Sequence, residues 1–444
     1  MLRVDTIRSG ASLYGRPRVA AGDLSLDAVL SRFSVVVTAV GMAASTVALW
    51  LTVQALPAYV KPDSSDFSHV LKPPLYYPAH GLEILCVCGA GILALSRTPQ
   101  QLLRRYGVRF LLFLLAGALM TVKGYSLSAA ASTQIFSSTG PFICIVSVLI
   151  FVGAQPGNWR LLDKLLLWTA ITYSAFAVVG MLGVKSANRW EAVLALQGFL
   201  NGLYWPATWL LLRPGSQKSP VSWLRCLPIA VYAVGSIFTQ TRLNWVMILG
   251  ALVAYAYIQW RRHNPMLPKL LLAAGLGLWL ILFSTQYLSD TKYVQTLQAS
   301  AEAFGNRSDE DTRTGQLVEF FRNVRISELV LGRGSLATWN WGGVEFTSGI
   351  DVGYLSLLFF GGLPLLLTYV ALHITPALGT IRRPQSEWQR SCAAIALLWA
   401  LRMFSSSYPN LSIEYYPVLL CIGGCLGQAR RVSIKRARRI GARV

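Results

Sequence analysis

Charge is what this sequence has least of. Only 13% of its 444 residues are Asp, Glu, Lys or Arg, against roughly a quarter in soluble domains, and that deficit excludes an ordinary water-soluble fold. Acids are scarcest, 19 against 40 Lys and Arg, for a formal net charge of +21. The surplus falls in short runs between apolar stretches rather than on one polar domain, so it reads as a topology signal and not as a nucleic-acid interface. Histidine is nearly missing: His69, His80, His263 and His373 stand far apart. There is no HExxH, no Walker loop and no dinucleotide fingerprint after a strand, and Asp309-Glu310-Asp311 is not read as an Asp-x-Asp pair of the kind that holds a metal for a nucleotide-sugar donor. An ATP-driven pump and a metal-dependent transferase are therefore disfavoured, and neither metal nor cofactor is expected. The seven cysteines all lie in or beside apolar runs, none in the long polar stretch 286–350, so no disulfide framework supports that stretch and the thiols read as apolar filling.

What is present is hydrocarbon: 54% of residues are apolar and the mean hydropathy is +0.48. Runs of about 20 apolar residues match a bilayer core. They fall near 33–56, 79–96, 108–125, 138–155, 165–183, 194–212, 226–240, 243–260, 267–285, 351–374, 390–406 and 413–428, with a tight reversal required at Gln240–Leu243. The predicted fold class is all-α, a polytopic membrane bundle of about twelve transmembrane helices with one long periplasmic loop. The organisation is a cytoplasmic segment 1–32, spans over 33–285, the loop 286–350, further spans over 351–428, and a basic tail 429–444.

Orientation follows from the basic residues. Roughly two-thirds of Lys and Arg fall on one set of alternate segments, which predicts that side to be cytoplasmic. That set runs from Arg3–Arg18 through Arg97–Arg109, Arg160–Lys164, Arg213–Arg225, Arg261–Arg262 and Arg382–Arg383 to the tail Arg430–Arg443. Both termini are then cytoplasmic, and the insert and the loop Pro57–Pro78 lie outside. The polar, Arg-bearing start lacks an apolar region with a cleavage site, so the first span is the expected anchor. The tail reads as a topology anchor touching anionic headgroups, which makes membrane lipids a partner.

Within the insert, Gly315 to Leu331 reads as one helix. Leu317, Phe320, Phe321 and Val324 recur at helical spacing, with Arg322 and Arg325 on the other side. Such a helix suits a membrane surface or a cap on the bundle. Gly332 and Gly334 end it in Leu-Gly-Arg-Gly-Ser. Trp339 and Trp341 then lead toward Asp351, as interface anchors or as stacking faces for sugars.

Arginines on the outer side carry what chemistry there is. Arg242 ends Thr-Gln-Thr-Arg at the rim of two closely joined spans, where an unpaired guanidinium is costly. Arg313, in Asp-Thr-Arg-Thr-Gly, precedes the insert helix. Two planar donor forks are able to grip a pyrophosphate without a metal. Alternatively, Arg242 pairs with a carbonyl or headgroup, and Arg313 with Asp309 or Asp311. Arg333 and Arg402 are additional candidates, and Glu83 and Lys123 are charges at membrane depth suited to pair with each other. Asp351 serves either as a general base or as the N-cap of the span beginning at Val352; Glu345 is the reserve base.

Thr-Gln-Thr-Arg242, then a long outer loop with Arg313, an apolar helix and Leu-Gly-Arg-Gly, then Asp351-Val-Gly-Tyr-Leu-Ser, together resemble the bacterial O-antigen ligase and Wzy-type polysaccharide polymerase superfamily. The likeness covers roughly Leu227 to Leu372. It implies a metal-independent inverting glycosyltransferase in the inner membrane, with an undecaprenyl-pyrophosphate-linked oligosaccharide as donor. Arg242 and Arg313 then match the arginines that neutralise the leaving pyrophosphate. Ligases of the family place a histidine before the returning span, where this chain reads Gly349-Ile350-Asp351. That departure favours a polymerase joining repeat units for an exopolysaccharide, capsule or O antigen, with a chain-length regulator as the protein partner, over a ligase acting on lipid A core. A non-enzymatic lipid-linked-sugar flippase or permease is the rival from another class. Its expected marks, charges along a central cavity and Gly/Pro-broken helices in matching halves, are not seen in the sequence.

Overall fold

The computed structural model describes residues 26–59, 74–127, 140–184, 192–213, 222–261, 312–335, 337–341, 344–346, 352–384, 386–404 and 414–427, with the single positions 295, 299 and 302. The described chain is a helical bundle. Its helices are α1 (Leu26–Tyr59), α2 (Tyr76–Ser96), α3 (Val108–Leu127), α4 (Gly140–Val146), α5 (Leu149–Gly153), α6 (Trp159–Gly183), α7 (Gly198–Leu212), α8 (Leu227–Phe238) and α9 (Arg242–Arg261). The insert contributes α10 (Thr312–Asn323), α11 (Ile326–Leu331) and two short strands, β1 (Trp339–Trp341) and β2 (Val344–Phe346). The bundle resumes with α12 (Gly353–Tyr369), α13 (Thr375–Arg382) after a π turn, α14 (Glu387–Arg402) and α15 (Tyr416–Leu426).

Among the described residues, five helices are long and apolar enough to cross a membrane: Val29–Leu51, Tyr76–Ser96, Gln100–Gly124, Pro156–Gly183 and Gly353–Arg382. Ile143–Gly153, Leu224–Phe238 and Tyr416–Leu426 are shorter apolar helices. The expectation of about twelve spans is thus met in part among the described residues. The run 267–285 lies outside them, and the runs at 194–212, 243–260 and 390–406 form helices too short or too polar to qualify. The reason is visible in burial. Long helices turn Leu82, Leu85 and Ile92 of α2, Leu111 and Leu119 of α3, and Val179 and Leu182 of α6 outward. The short ones form the interior: residues 202 to 212 of α7 and all of α15 are buried. A helix apolar on every side belongs inside protein or lipid, and here the inner ones are short because protein covers them.

Close backbone approach makes that interior possible. Gly153 of α5 faces the Leu420 backbone of α15, and Gly423 faces the Ile150 and Gly153 backbones, so a Cβ at either would collide with main chain. Small residues at helix crossings give the dispersion contact that drives helix association in lipid. The seven cysteines are free thiols, with Cys144, Cys392, Cys421 and Cys425 buried among the helices.

Charges at depth are paired, but not as expected. Glu83 and Lys123 do not meet. The Glu83 carboxylate takes the Tyr416 hydroxyl, and His80 Nδ1 at 2.9 Å. The Lys123 ammonium donates to the Leu331 and Gly332 carbonyls at 3.1 and 2.9 Å, where cations suit a helix C-terminus. The helix turned of α2 toward α15 and that of α3 toward the insert point the two side chains to different neighbours.

The insert also departs from expectation. Gly315–Leu331 is two helices, not one. Arg325 takes an extended conformation (φ −75°, ψ 145°), and its N–H donates to Glu328 at 2.8 Å in a capping box that starts α11. Phe320 and Val324 are buried, but Phe321 is 52% exposed, so the inward stripe follows Gln316, Phe320 and Val324. The all-α expectation is modified by the hairpin, in which Trp339 pairs with Phe346 and Asn340 with Glu345. Trp339 is buried edge-on against Phe320, a packing role rather than a surface anchor.

Candidate functional site

Helix α12 is broken. Gly362 leaves the helix (φ 70°, ψ −170°), two residues before Pro364. In a regular helix the Phe360 carbonyl would accept from the N–H of residue 364, which proline lacks. The insert supplies the donors: Arg333 N–H bonds Phe359 O at 2.7 Å and Gly334 N–H bonds Phe360 O at 2.8 Å. Ser335 N–H bonds Met120 O of α3 at 3.1 Å. Gly332 (φ 71°) lies so near the Gly361–Gly362 backbone that an added Cβ would stand 2.6 Å from it. The Leu-Gly-Arg-Gly segment thereby completes the hydrogen bonding of a transmembrane helix.

Arg333 is accounted for by this docking. Its guanidinium grips Glu328 through both oxygens at 3.0 and 2.9 Å, donates to Thr338 O, and lies 5.6 Å from the Phe359 ring centre. The Arg325 N–H, opposed by partial burial and reinforced by Arg333, holds the Glu328 carboxyl below its ordinary range.

Arg402 has a different setting. It ends α14, is 9% exposed, lies 5.7 Å from the Trp399 ring centre and forms an ion pair with Glu414. Tyr204 and Tyr232 stand close enough to feel its charge, and their rings are 5.1 Å apart. Tyr204 donates to Met247 O at 2.7 Å, and Leu398 packs on Gly250. These contacts lay α9 along α7 and α14. Arg242 opens α9, about 7 Å before Met247 at 1.5 Å per residue. It is exposed, at the start of α9. The reversal that delivers it is as tight as expected, with Gln240 in the left-handed region (φ 48°). Next to it, buried Asn244 has an amide nitrogen with no partner among the described residues. Thr241 donates to Gln197, the last residue of a π turn, at 3.4 Å. Such turns often accompany functional positions.

The start of α12 reaches the same place. Gly353 N–H bonds Met403 O, and the Tyr354 hydroxyl bonds Ala400 O, both at 2.8 Å. Asp351 lies outside the described residues, but the helix begins at Gly353 with Val352 as its N-cap. The N-cap position is therefore one residue later than expected. Arg313 falls in the first turn of α10 and Glu345 in β2; their side chains lie outside what is described, as do Asp309 and Asp311. The segment following Asp351 is thus bonded to the end of α14 that carries Arg402, Arg242 opens α9, and Arg333 is committed elsewhere. Sequence reasoning passed over Tyr204, Tyr232, Asn244 and Glu414. Trp399, one helical turn before Arg402, was the available sign that this arginine has an aromatic partner. Compared with protein-family models, curated proteins and solved structures, the chain matches none of them.

Proposed function

We propose that this protein is a Wzy-type polysaccharide polymerase. It has about twelve spans and both termini in the cytoplasm, and joins undecaprenyl-pyrophosphate-linked repeat units at the periplasmic face of a bacterial inner membrane. One observation carries the reading. The start of the returning helix after Asp351 is bonded to the end of α14, where buried Arg402 pairs with Glu414. In this reading Arg242 and Arg313 hold the departing diphosphate, with Arg402 in support. Charge that develops on a leaving group is best stabilised by fixed cations in a site sheltered from water. Asp351 takes the acceptor proton.

The broken α12 is the one feature on the side of a flippase, since transporters use interrupted helices to bind cargo. Here, however, the freed carbonyls are filled by the insert's own N–H groups. The test is purified protein with lipid-linked repeat units, with and without lipid A core. A ladder formed without the core means polymerase, and transfer only with it means ligase. Arg242→Ala and Arg313→Ala should each cut chain lengthening by about 100-fold or more, and Asp351→Asn should do the same. Normal polymer from all three removes the proposal.

A further inference from the structure

Two lengths locate a membrane boundary at the point where the insert docks. From Gly362 to Arg382 is 20 residues (382 − 362), about 30 Å at helical rise, the thickness of a hydrocarbon core. On α3, Arg109 donates to Ala371 O and Thr375 Oγ1, and Lys123 donates to Leu331 and Gly332. These two cations are 14 residues apart (123 − 109), about 21 Å, and snorkelling side chains extend the reach at both ends. Both rulers end on one residue: Gly332 receives Lys123 and abuts Gly361–Gly362.

Beyond that level Leu357, Phe359 and Phe360 of α12 are apolar yet buried, with Phe320 of α10 against Phe359. At that level lies α11, and its apolar residues are not covered. Ile326 is 78% exposed, Val330 43% and Leu331 67%. The flanking helices continue the same surface: Leu119 and Val122 of α3 are 65% and 66% exposed, and Leu363 and Leu367 of α12 are 40% and 62%. On α11 the polar members are Ser327 and Glu328, with Glu328 tied to Arg325 and Arg333. A helix with charge on one side and bare aliphatics on the other, bridging two lipid-exposed surfaces, suits the boundary between headgroups and acyl chains.

We infer that α11 is an interfacial helix whose Ile326, Val330 and Leu331 rest in the acyl-chain region of the leaflet at the insert end. The occupant of this face is lipid hydrocarbon. The inference stands apart from the proposed enzymatic activity, because it uses only depth, exposure and docking. Its consequence is that the insert is held down on the membrane, so a lipid-borne ligand meets it sideways, from the bilayer.

The test uses the full chain in nanodiscs of phosphatidylethanolamine and phosphatidylglycerol. A benzophenone amino acid replaces Ile326, Val330 or Leu331 in turn, with Leu119 as the lipid-facing reference and the exposed Arg322 as the aqueous one. After irradiation, lipid adducts are counted by mass spectrometry. Adducts at Ile326 and Leu331 should come within about threefold of Leu119 and exceed Arg322 about tenfold. Yields at the Arg322 level, or crosslinks to a second copy of the chain instead of lipid, overturn the inference. Val330 provides the same reading should either terminal position disturb folding.

Discussion

Two of the backbone contacts that depend on glycine in this molecule do opposite things. At Gly153 and Gly423, two helical segments lie against each other without exchanging backbone hydrogen bonds. At Gly332 and Gly362, a loop lies against a helix that has lost its regularity, and the hydrogen bonds are exchanged between them. The first contact is part of the bundle's interior, so its loss should unfold the protein. The second attaches an accessory layer to a bundle already formed, so its loss should be local. Where a glycine sits between two helices it measures distance; where it sits between a loop and a broken helix it measures conformation as well, because both Gly332 and Gly362 have positive φ.

Gly153→Val breaks the comparison most severely. A branched side chain would enter the Leu420 main chain, which cannot move without displacing α15. The expected cost is more than about 4 kcal/mol, enough to remove folded protein from the membrane, and fluorescence-detected gel filtration would show it. Gly332→Ala is intermediate. It combines an unfavourable φ with a collision at Gly361–Gly362, for about 1–3 kcal/mol, and should free the insert to protease while the bundle keeps its elution profile. Equal damage from both substitutions would erase the distinction between interior and accessory layer. Glu328→Gln is the mildest, at no more than about 1 kcal/mol for a partly exposed ion pair. It sharpens the picture through pH. The folded carboxyl is held below its unfolded value, so its contribution is present above the unfolded value and lost as pH falls through the folded one. Insert protection in the parent should therefore fall on acidification, and the Gln variant should lack that component.

The helical runs were legible from hydropathy because burial in lipid or protein leaves the same apolar signal. For the same reason hydropathy did not separate α7, which is inside protein, from α6, which faces outward. The reversal at Gln240 was legible from spacing, whereas the break at Arg325 was hidden, since Arg is not a residue type that marks a helix start; Glu328 three residues on was its trace. Arg402 was found as a charge out of place, but Tyr204 and Tyr232 look like any aromatic in an apolar run. Glu83 and Lys123 show the limit most plainly. Their depth was readable from the sequence, but the neighbours are set by helix rotation and by which distant helix lies alongside.

The bond between Glu83 and Tyr416 spans 333 positions of sequence, and α5 likewise waits for α15. A ribosome delivers α2 and α5 long before the final helix exists. During that interval the Glu83 carboxylate has His80 but not Tyr416, and the groove at Gly153 has only one wall. The early helices therefore cannot close into their final arrangement as they emerge. Chain termination anywhere before α15 should leave a set of inserted but unsealed helices, and quality-control proteases acting within the membrane would read that unfinished seam as the mark of an incomplete product.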